Sequence, residues 1–345
     1  MDVTANGPPP KLVPMDSTMQ ARLSLTGAAA AAFLAISLCL PAAAREQVLR
    51  IGFLFAKDSQ LGAGAKRMAD DIAKQTAGRY RVELYPNATV GGEMEMLRDI
   101  QLGHLDIGFI TSGPFGSVIP EMGVFDMSFL FRDAAHAHHT FDGPIGAEYL
   151  ANFQQNGMVG LAWGENGMRH MTNSKRPITK PDDLNGLKMR VPQSPVMLSA
   201  FKAMGADAQP LAFPALYAAL QTRQFDGEEN PLAVIIATHF EKVQKHLTLT
   251  GHVYSWAAIV MSKQAWAAMS EADRRIFVAA AKAGGIVSRE AAAKAEAQGV
   301  DMLRKAGMEV VTSVDRAAFE KAVQPASAES AKQFGAIVER IRAVN

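Results

Sequence analysis

The chain has 345 residues with 35 basic and 34 acidic side chains, a formal net charge of +1, and 7% aromatic residues. So even a balance excludes the basic face that nucleic-acid binding requires. The single cysteine, Cys39, lies near the N-terminus, so no disulfide framework holds the remainder; about 300 residues beyond Ala44 can instead bury roughly 75% of their unfolded surface, usually in two cores.

Residues 1–44 read as a leader rather than as fold. A Pro-rich start precedes Met19-Gln20-Ala21-Arg22, an Ala-rich apolar run over 23–40, and Pro41-Ala42-Ala43-Ala44 before Arg45. A basic start, an apolar core and an Ala-x-Ala exit describe a cleaved secretory signal peptide and a periplasmic destination, with Met19 as an alternative start. A membrane anchor is the competing reading, but the run is near the lower limit for a span and ends in a peptidase-like site. Cys39 follows Leu38, where a lipoprotein would carry a small residue.

Beyond the leader, residues 48–55 become apolar on both faces, as in a strand buried in a parallel sheet. Leu61, Ala65, Met68, Ile72 and Ala73 recur at helical spacing over 59–78, with Gly78 as a stop. Residues 80–85 alternate as a strand, Pro86-Asn87 turns the chain, 93–102 is helical and 105–111 is again a strand. This is the doubly wound α/β pattern, which puts ligands at the carboxyl ends of strands, where Thr111, Ser112 and Gly113 lie. A second unit begins near Arg169. It has a helical turn at 181–184, a strand at 187–191 stopped by Pro192, a helix at 195–204 ended by Gly205, and a short helix at 214–221 with Phe213 at its mouth. Residues 264–305 are good helix formers with few turn signals besides Gly284-Gly285 and Gly299, which predicts a long helix bracing two lobes.

Site chemistry concentrates between residues 187 and 231. Leu-Lys-Met-Arg-Val-Pro sets Arg190 at the end of a short strand, and Asp-Gly-Glu-Glu-Asn-Pro sets Asn230 on a Pro-fixed turn. A planar guanidinium matches both oxygens of a carboxylate in a way lysine does not, so the pair suits an organic-acid ligand. By spacing alone, Arg190 also fits a solvated strand face and Asn230 ordinary turn chemistry. Glu228 and Glu229 are adjacent, and neighbouring side chains of extended backbone point apart, which argues against an acid–base pair. His136, His138 and His139 are local, with no cysteine and no matched distant ligands, and predict a solvated helix start rather than zinc. Gly62-Ala63-Gly64-Ala65-Lys66 lacks the endings of a phosphate loop, and neither a Gly-x-Ser-x-Gly elbow nor a His-Glu-x-x-His motif occurs. No cofactor, no metal and no enzymatic activity are therefore expected. Trp163, Phe213 and Trp256 suit an aromatic pocket or an aromatic core, and Trp163 is kept among the candidate ligand contacts.

Several blocks, in order, resemble the DctP-type solute-binding proteins of tripartite ATP-independent periplasmic (TRAP) transporters. They are Tyr85-Pro86-Asn87 with Gly91-Gly92-Glu93; Gly103-His104-Leu105-Asp106; Gly167-Met168-Arg169 with Thr172-Asn173 and Arg176-Pro177-Ile178; residues 186–192; Gly205-Ala206; Tyr217-Ala218-Ala219-Leu220-Gln221; and residues 226–231. The match runs from about residue 48 to the C-terminus. It implies a two-lobed periplasmic binding protein fold with a hinge: lobe I from 45–165 plus 256–294, lobe II from 166–255 plus 295–345. It further implies a two-pronged salt bridge from Arg190 to a substrate carboxylate, an amide contact from Asn230 and help from Arg169. Phe213, Gln193 and Thr111 match pocket-lining positions, and His252 lies near the lobe crossing. Where sialic-acid-binding members are acidic at the position of Thr111, Leu54, Phe55, Ile110 and Thr111 make a less polar wall. That puts a sugar acid in doubt and favours a small or partly apolar acid, with a four-carbon dicarboxylate, a 2-hydroxy or 2-oxo acid and an aromatic acid all open. The implied partner is a TRAP membrane permease driven by an ion gradient; a binding protein of an ATP-driven transporter or of a ligand-sensing receptor is the alternative. The last residues, 327–344, suit either a pairing helix or a packed one.

Overall fold

The computed structural model describes residues 7–8, 10–12 and 46–345, so the signal peptide expected over 1–44 lies almost wholly outside the described residues. Five elements alternate as the hydrophobic pattern requires: β1 (Gln47–Gly52), α1 (Gln60–Gln75), β2 (Tyr80–Tyr85), α2 (Glu93–Leu102) and β3 (Ile107–Thr111). β1 pairs in parallel with both β2 and β3. Ser59 caps α1, its hydroxyl accepting from the Gly62 amide, and Ile72, Met68, Ala65 and Leu61 form the buried stripe. Short helices α3 (Ser112–Val118), α4 (Ala134–Asp142) and α5 (Pro144–Asn152) lead to the long strand β4 (Met158–Asn173).

The second half opens with β5 (Lys188–Val191), α6 (Pro195–Ala203), β6 (Asp207–Pro210) and α7 (Leu216–Gln221). Then come β7 (Gly227–Pro231), α8 (Leu232–Ala237), β8 (His246–Ser262), α9 (Lys263–Ala267), α10 (Glu271–Lys305), β9 (Glu309–Val311), α11 (Arg316–Phe334) and α12 (Ile337–Arg342). All strands join one nine-stranded sheet in the order β2-β1-β3-β8-β4-β7-β5-β6, with β9 also on β8. Antiparallel β4 and β8 run down its centre and belong to both lobes: residues 158–164 pair with 257–262 beside β3, and residues 168–173 pair with 246–254 beside β7. Register breaks at Gly160/Ala162, Glu165/Gly167 and Arg169/Met171 interrupt this ladder. The last two fall where one lobe gives way to the other, and such bulges bend a strand locally. Three apolar clusters result, one in the first lobe and two in the second.

α10 bridges the two, packing on α1 and β4 and, further along, on α8 and β9. It runs unbroken through Gly284-Gly285, and the missing side chains there let α1 and β4 approach closely. A Cβ on Gly64 would lie 2.5 Å from the Gly284 carbonyl oxygen, and one on Gly285 would lie 2.1 Å from that of Trp163. The tail departs from the expected division at 295–345. α11 packs on α6 in the second lobe, but Ile337, Val338 and Ile341 of α12 are buried in the first-lobe cluster. Arg132 donates to the carbonyls of Arg342 and Val344, tying the end of the chain there. The α12 part of the terminal segment thus packs on this lobe.

Candidate ligand-binding site

Arg190 stands on β5 between β6 and β7, opposite Gln209 and Glu228 in register, and only 3% of it is exposed. Its Nε and Nη2 both donate to the Leu211 carbonyl, at 2.8 and 2.7 Å. Among the described residues no carboxylate forms an ion pair with it. Burial pulls this guanidinium down to about 10; Glu229 and Glu228 oppose that fall, whereas Arg169 adds to it. A buried charge without a counter-ion is costly, which is the signature of a site completed from outside.

Arg169, on β4, is satisfied internally. Its Nε and Nη2 grip the two carboxylate oxygens of Glu229 at 2.5 and 2.7 Å, and Nη1 reaches the Ser255 hydroxyl at 3.4 Å. His252 Nε2 lies 3.0 Å from the same carboxylate and its Nδ1 2.7 Å from the Thr250 hydroxyl. Burial alone would raise Glu229, but Arg169 and His252 overcome it and hold Glu229 at about 2. Burial depresses the His252 pKa, so this imidazole is kept neutral beside its anionic neighbour. These groups form a fixed polar pin where β4, β7 and β8 meet. Asn230, on β7, is placed by another chain: its Nδ2 donates to Glu228 Oε2 at 2.5 Å, and the Thr172 hydroxyl approaches Glu228 Oε1 at 2.6 Å. Both glutamates are completely buried. As expected of adjacent strand residues, they serve opposite partners.

The first lobe closes over this floor. Thr111, at the end of β3, directs its amide and hydroxyl to the carboxylate of Glu93, at 2.6 and 2.8 Å. The wall expected to be less polar therefore has a buried acid directly behind it, and burial raises Glu93 to about 7 despite those two bonds and the charges of Arg190 and Arg169. Leu54, Phe55 and Ile110 are buried as apolar wall residues. Across the gap, Ser194 donates to Asp126 at 2.9 Å and Ser117 to the Gln193 backbone carbonyl at 3.0 Å. Gln193 thus meets the opposite lobe through its backbone. Phe213 packs edge-on against Phe55, ring centroids 5.0 Å apart, and both line a cavity of about 260 Å³ between the lobes with Leu54, Asn87 and Tyr217. A Cβ on Gly113 would lie 2.8 Å from that of Pro192, so the lobes meet at a residue with no side chain to spare.

Trp163 is a correction. Its indole N–H donates to the Gly146 carbonyl at 3.0 Å, and its ring packs among Phe141, Phe153 and Trp256 in the first-lobe core. The structure groups it with none of the other candidates, because β4 turns this residue toward α5. The histidine cluster is a solvated helix face only at His139, which is exposed. His136 is buried against the Ile341 carbonyl, and His138 Nε2 lies 2.6 Å from Glu165 Oε2, to which the Tyr254 hydroxyl also donates. Among the described residues no group of acidic, cysteine and histidine side chains is arranged to hold a metal ion. The reading of the sequence missed Glu93, Asp126 and Ser255, since isolated acids and serines on separate elements carry no motif.

The chain matches the family model for bacterial extracellular solute-binding proteins, family 7 (DctP), over residues 52–333. It is 44% identical over 301 residues to a solute-binding protein of Verminephrobacter eiseniae, covering 87% of this chain and 90% of that one. A TRAP periplasmic solute-binding protein from Polaromonas sp., bound to D-erythronate, superposes with a TM-score of 0.86 at 46% identity, covering 87% of this chain and 99% of the other. Another, from Bordetella bronchispeptica with density interpreted as pantoate, gives 0.85 at 40% identity, covering 87% and 100%. No helix among the described residues is long and apolar enough to cross a membrane. A mixed α/β sheet shared by two lobes, a floor of buried arginine and amide, and a family match over most of its length all agree: the chain belongs to the DctP-type periplasmic solute-binding proteins of TRAP transporters, which bind substrates rather than transform them.

Proposed function

We propose that this protein captures a short 2-hydroxy carboxylate in the periplasm, after cleavage of its leader, and delivers it to a TRAP permease. The observation that carries the reading is Arg190, a buried guanidinium that no carboxylate among the described residues pairs with. The ligand's carboxylate supplies that counter-charge as a two-pronged salt bridge, Asn230 holds the same group through its amide, and Arg169, committed to Glu229, acts as the rigid support of the floor. Closing the lobes removes water from the Arg190 contact and strengthens it, so the ligand favours the closed form by differential affinity. The closed form is what the permease then engages.

The ligand class draws support from two structural relatives, one of which holds a short sugar acid, so the doubt that the less polar wall cast on sugar acids is not kept for short ones. D-Erythronate and pantoate, the molecules named with them, share a four-carbon acid chain with hydroxyls on C2 and C4. Pantoate adds two methyl groups, which the apolar wall of Leu54, Phe55 and Phe213 tolerates. Thermal-shift and titration calorimetry with D-erythronate, pantoate, succinate and an aromatic acid test the assignment. We expect the first two to raise the melting temperature most, since a ligand bound only by the folded state stabilises it. Stabilisation by succinate or the aromatic acid alone overturns the ligand class.

A further inference from the structure

The hydroxyl behind Asn230 faces one acceptor too many. Thr172 Oγ1 lies 2.6 Å from Glu228 Oε1 and 3.2 Å from Gln244 Oε1. The Gln244 amide is oriented by its own Nε2, which donates to the Val243 carbonyl at 2.9 Å and leaves the oxygen toward Thr172. A hydroxyl has one hydrogen and can donate to only one of these oxygens. If Glu228 carries a proton, it donates to Thr172, Thr172 donates to Gln244, and both contacts become bonds. If Glu228 is ionised, one pair of oxygens meets with no hydrogen between them.

Arg190 tells the same story from the neighbouring strand. It is the register partner of Glu228 and both residues are buried, yet the guanidinium gives two hydrogen bonds to the Leu211 carbonyl and forms no ion pair with Glu228. An ionised carboxylate facing an uncompensated guanidinium across a dry strand pair would claim it.

We propose that Glu228 is a positioning residue held as a neutral carboxylic acid, whose proton keeps Arg190 available to the ligand's carboxylate while its carbonyl oxygen fixes the Asn230 amide beside it. The inference rests on the carboxylate-binding reading above. An ionised Glu228 would compete with the ligand for the same guanidinium. Burial raises Glu228 to about 7, and Glu229 pushes the same way, against the bonds from Thr172 and Asn230 and the charge of Arg190. The remaining ionisable neighbours are already engaged: Glu229 with Arg169 and His252, and His170, opposite Asn230 on β4, with Glu296 of α10. His246, beyond the Gln244 turn, contacts Glu309.

The test compares wild type with Glu228→Gln, whose amide donates to Thr172 and accepts from Asn230 as the neutral acid does. Titration calorimetry with D-erythronate at about pH 6 should give affinities within about threefold of each other, because the exchanged groups make the same bonds. Raising the pH to one unit above 7 should cost wild type about tenfold as the binding-competent neutral fraction shrinks, and the variant clearly less. Glu93, raised to about 7 as well, titrates in both proteins, so the gap between the two curves belongs to Glu228. Infrared spectra of the ligand-free proteins at about pH 6 should show a protonated-carboxyl C=O band in wild type that Glu228→Gln lacks. In Thr172→Val, where the acid loses its acceptor, the band should move; this variant serves if Glu228→Gln does not fold. Overturning results are a spectrum unchanged by both substitutions, parallel affinity curves, or a loss above about 30-fold in Glu228→Gln at pH 6, the range expected when a needed charge is removed. If D-erythronate binds neither protein, the ligand class falls while the infrared difference still decides the proton.

Discussion

Replacing Arg190 with alanine separates a residue kept for a ligand from one kept for the fold. With the lobes in contact this guanidinium is buried, is hydrogen-bonded among the described residues to the Leu211 carbonyl, and is pulled down by burial to about 10. At about 1.4 kcal/mol for each tenfold change in proton affinity, burying it as a cation in the closed cleft costs on the order of 3 kcal/mol near neutral pH, so it adds nothing to the stability of the ligand-free fold. Its removal also leaves Leu211 short of a donor, which costs about 1–3 kcal/mol. The ligand-free stability of Arg190→Ala should therefore lie close to that of wild type. Binding should not survive so well. Truncating one member of a desolvated charge pair costs about 2–5 kcal/mol, which corresponds to an affinity loss of roughly 30-fold to several thousand-fold. Urea denaturation without ligand and calorimetric titration with D-erythronate read the two quantities separately. Wild-type affinity in the variant, or a large loss of ligand-free stability with affinity intact, refutes the reasoning.

Arg169→Ala should behave in the opposite sense: it strands Glu229 in the core, and breaking one side of a buried pair costs about 3–5 kcal/mol, so the urea midpoint should fall well below that of Arg190→Ala. Glu229, held at about 2, contributes stability at pH above 4.5 that is lost as the pH falls toward 2; Glu229→Gln should flatten that acid limb, and parallel profiles would contradict the ion pair. Glu93, raised to about 7, contributes stability present below 4.5 and lost as the pH rises through 7, so Glu93→Gln should flatten the decline between pH 4.5 and 7 in the same denaturation profile. Gly113→Ala places a methyl against Pro192, and overpacking of about 1–3 kcal/mol should weaken D-erythronate binding roughly 5- to 150-fold. Small-angle scattering should then show less compaction on adding ligand than wild type shows; equal compaction would mean the lobes do not meet at this contact.

Local pattern located most of the elements. The strand over 80–85 and the helix over 93–102 match β2 and α2 residue for residue, because period-two and helical periodicities are strong there and turn residues bound both. β4 and β8 were not legible. Their first-lobe halves are apolar on both faces and their second-lobe halves carry polar residues such as Arg169, Thr172, Thr250 and His252, so no single period spans either strand. The site was legible as far as Arg190, Asn230 and Arg169, which lie in compact motifs. Glu93 was invisible as a site residue, since it meets Thr111 only after β3 has been laid beside α2 in space. Glu228 and Glu229 showed the opposite weakness: the alternation that sends them to opposite faces was plain, but not that both faces are buried.

The return of α12 to the first-lobe core leaves β1 and the last residues of the chain on the same side of the hinge. Fluorophores attached at those two ends would move together and stay blind to lobe motion, however tightly the solute binds. A biosensor built on this scaffold needs one dye on the second lobe, and the turn at Gly186 offers a place: it adopts a φ of +75° with open space where a Cβ would stand, so a label carried by a short insertion there would sweep toward or away from its counterpart as the cleft works.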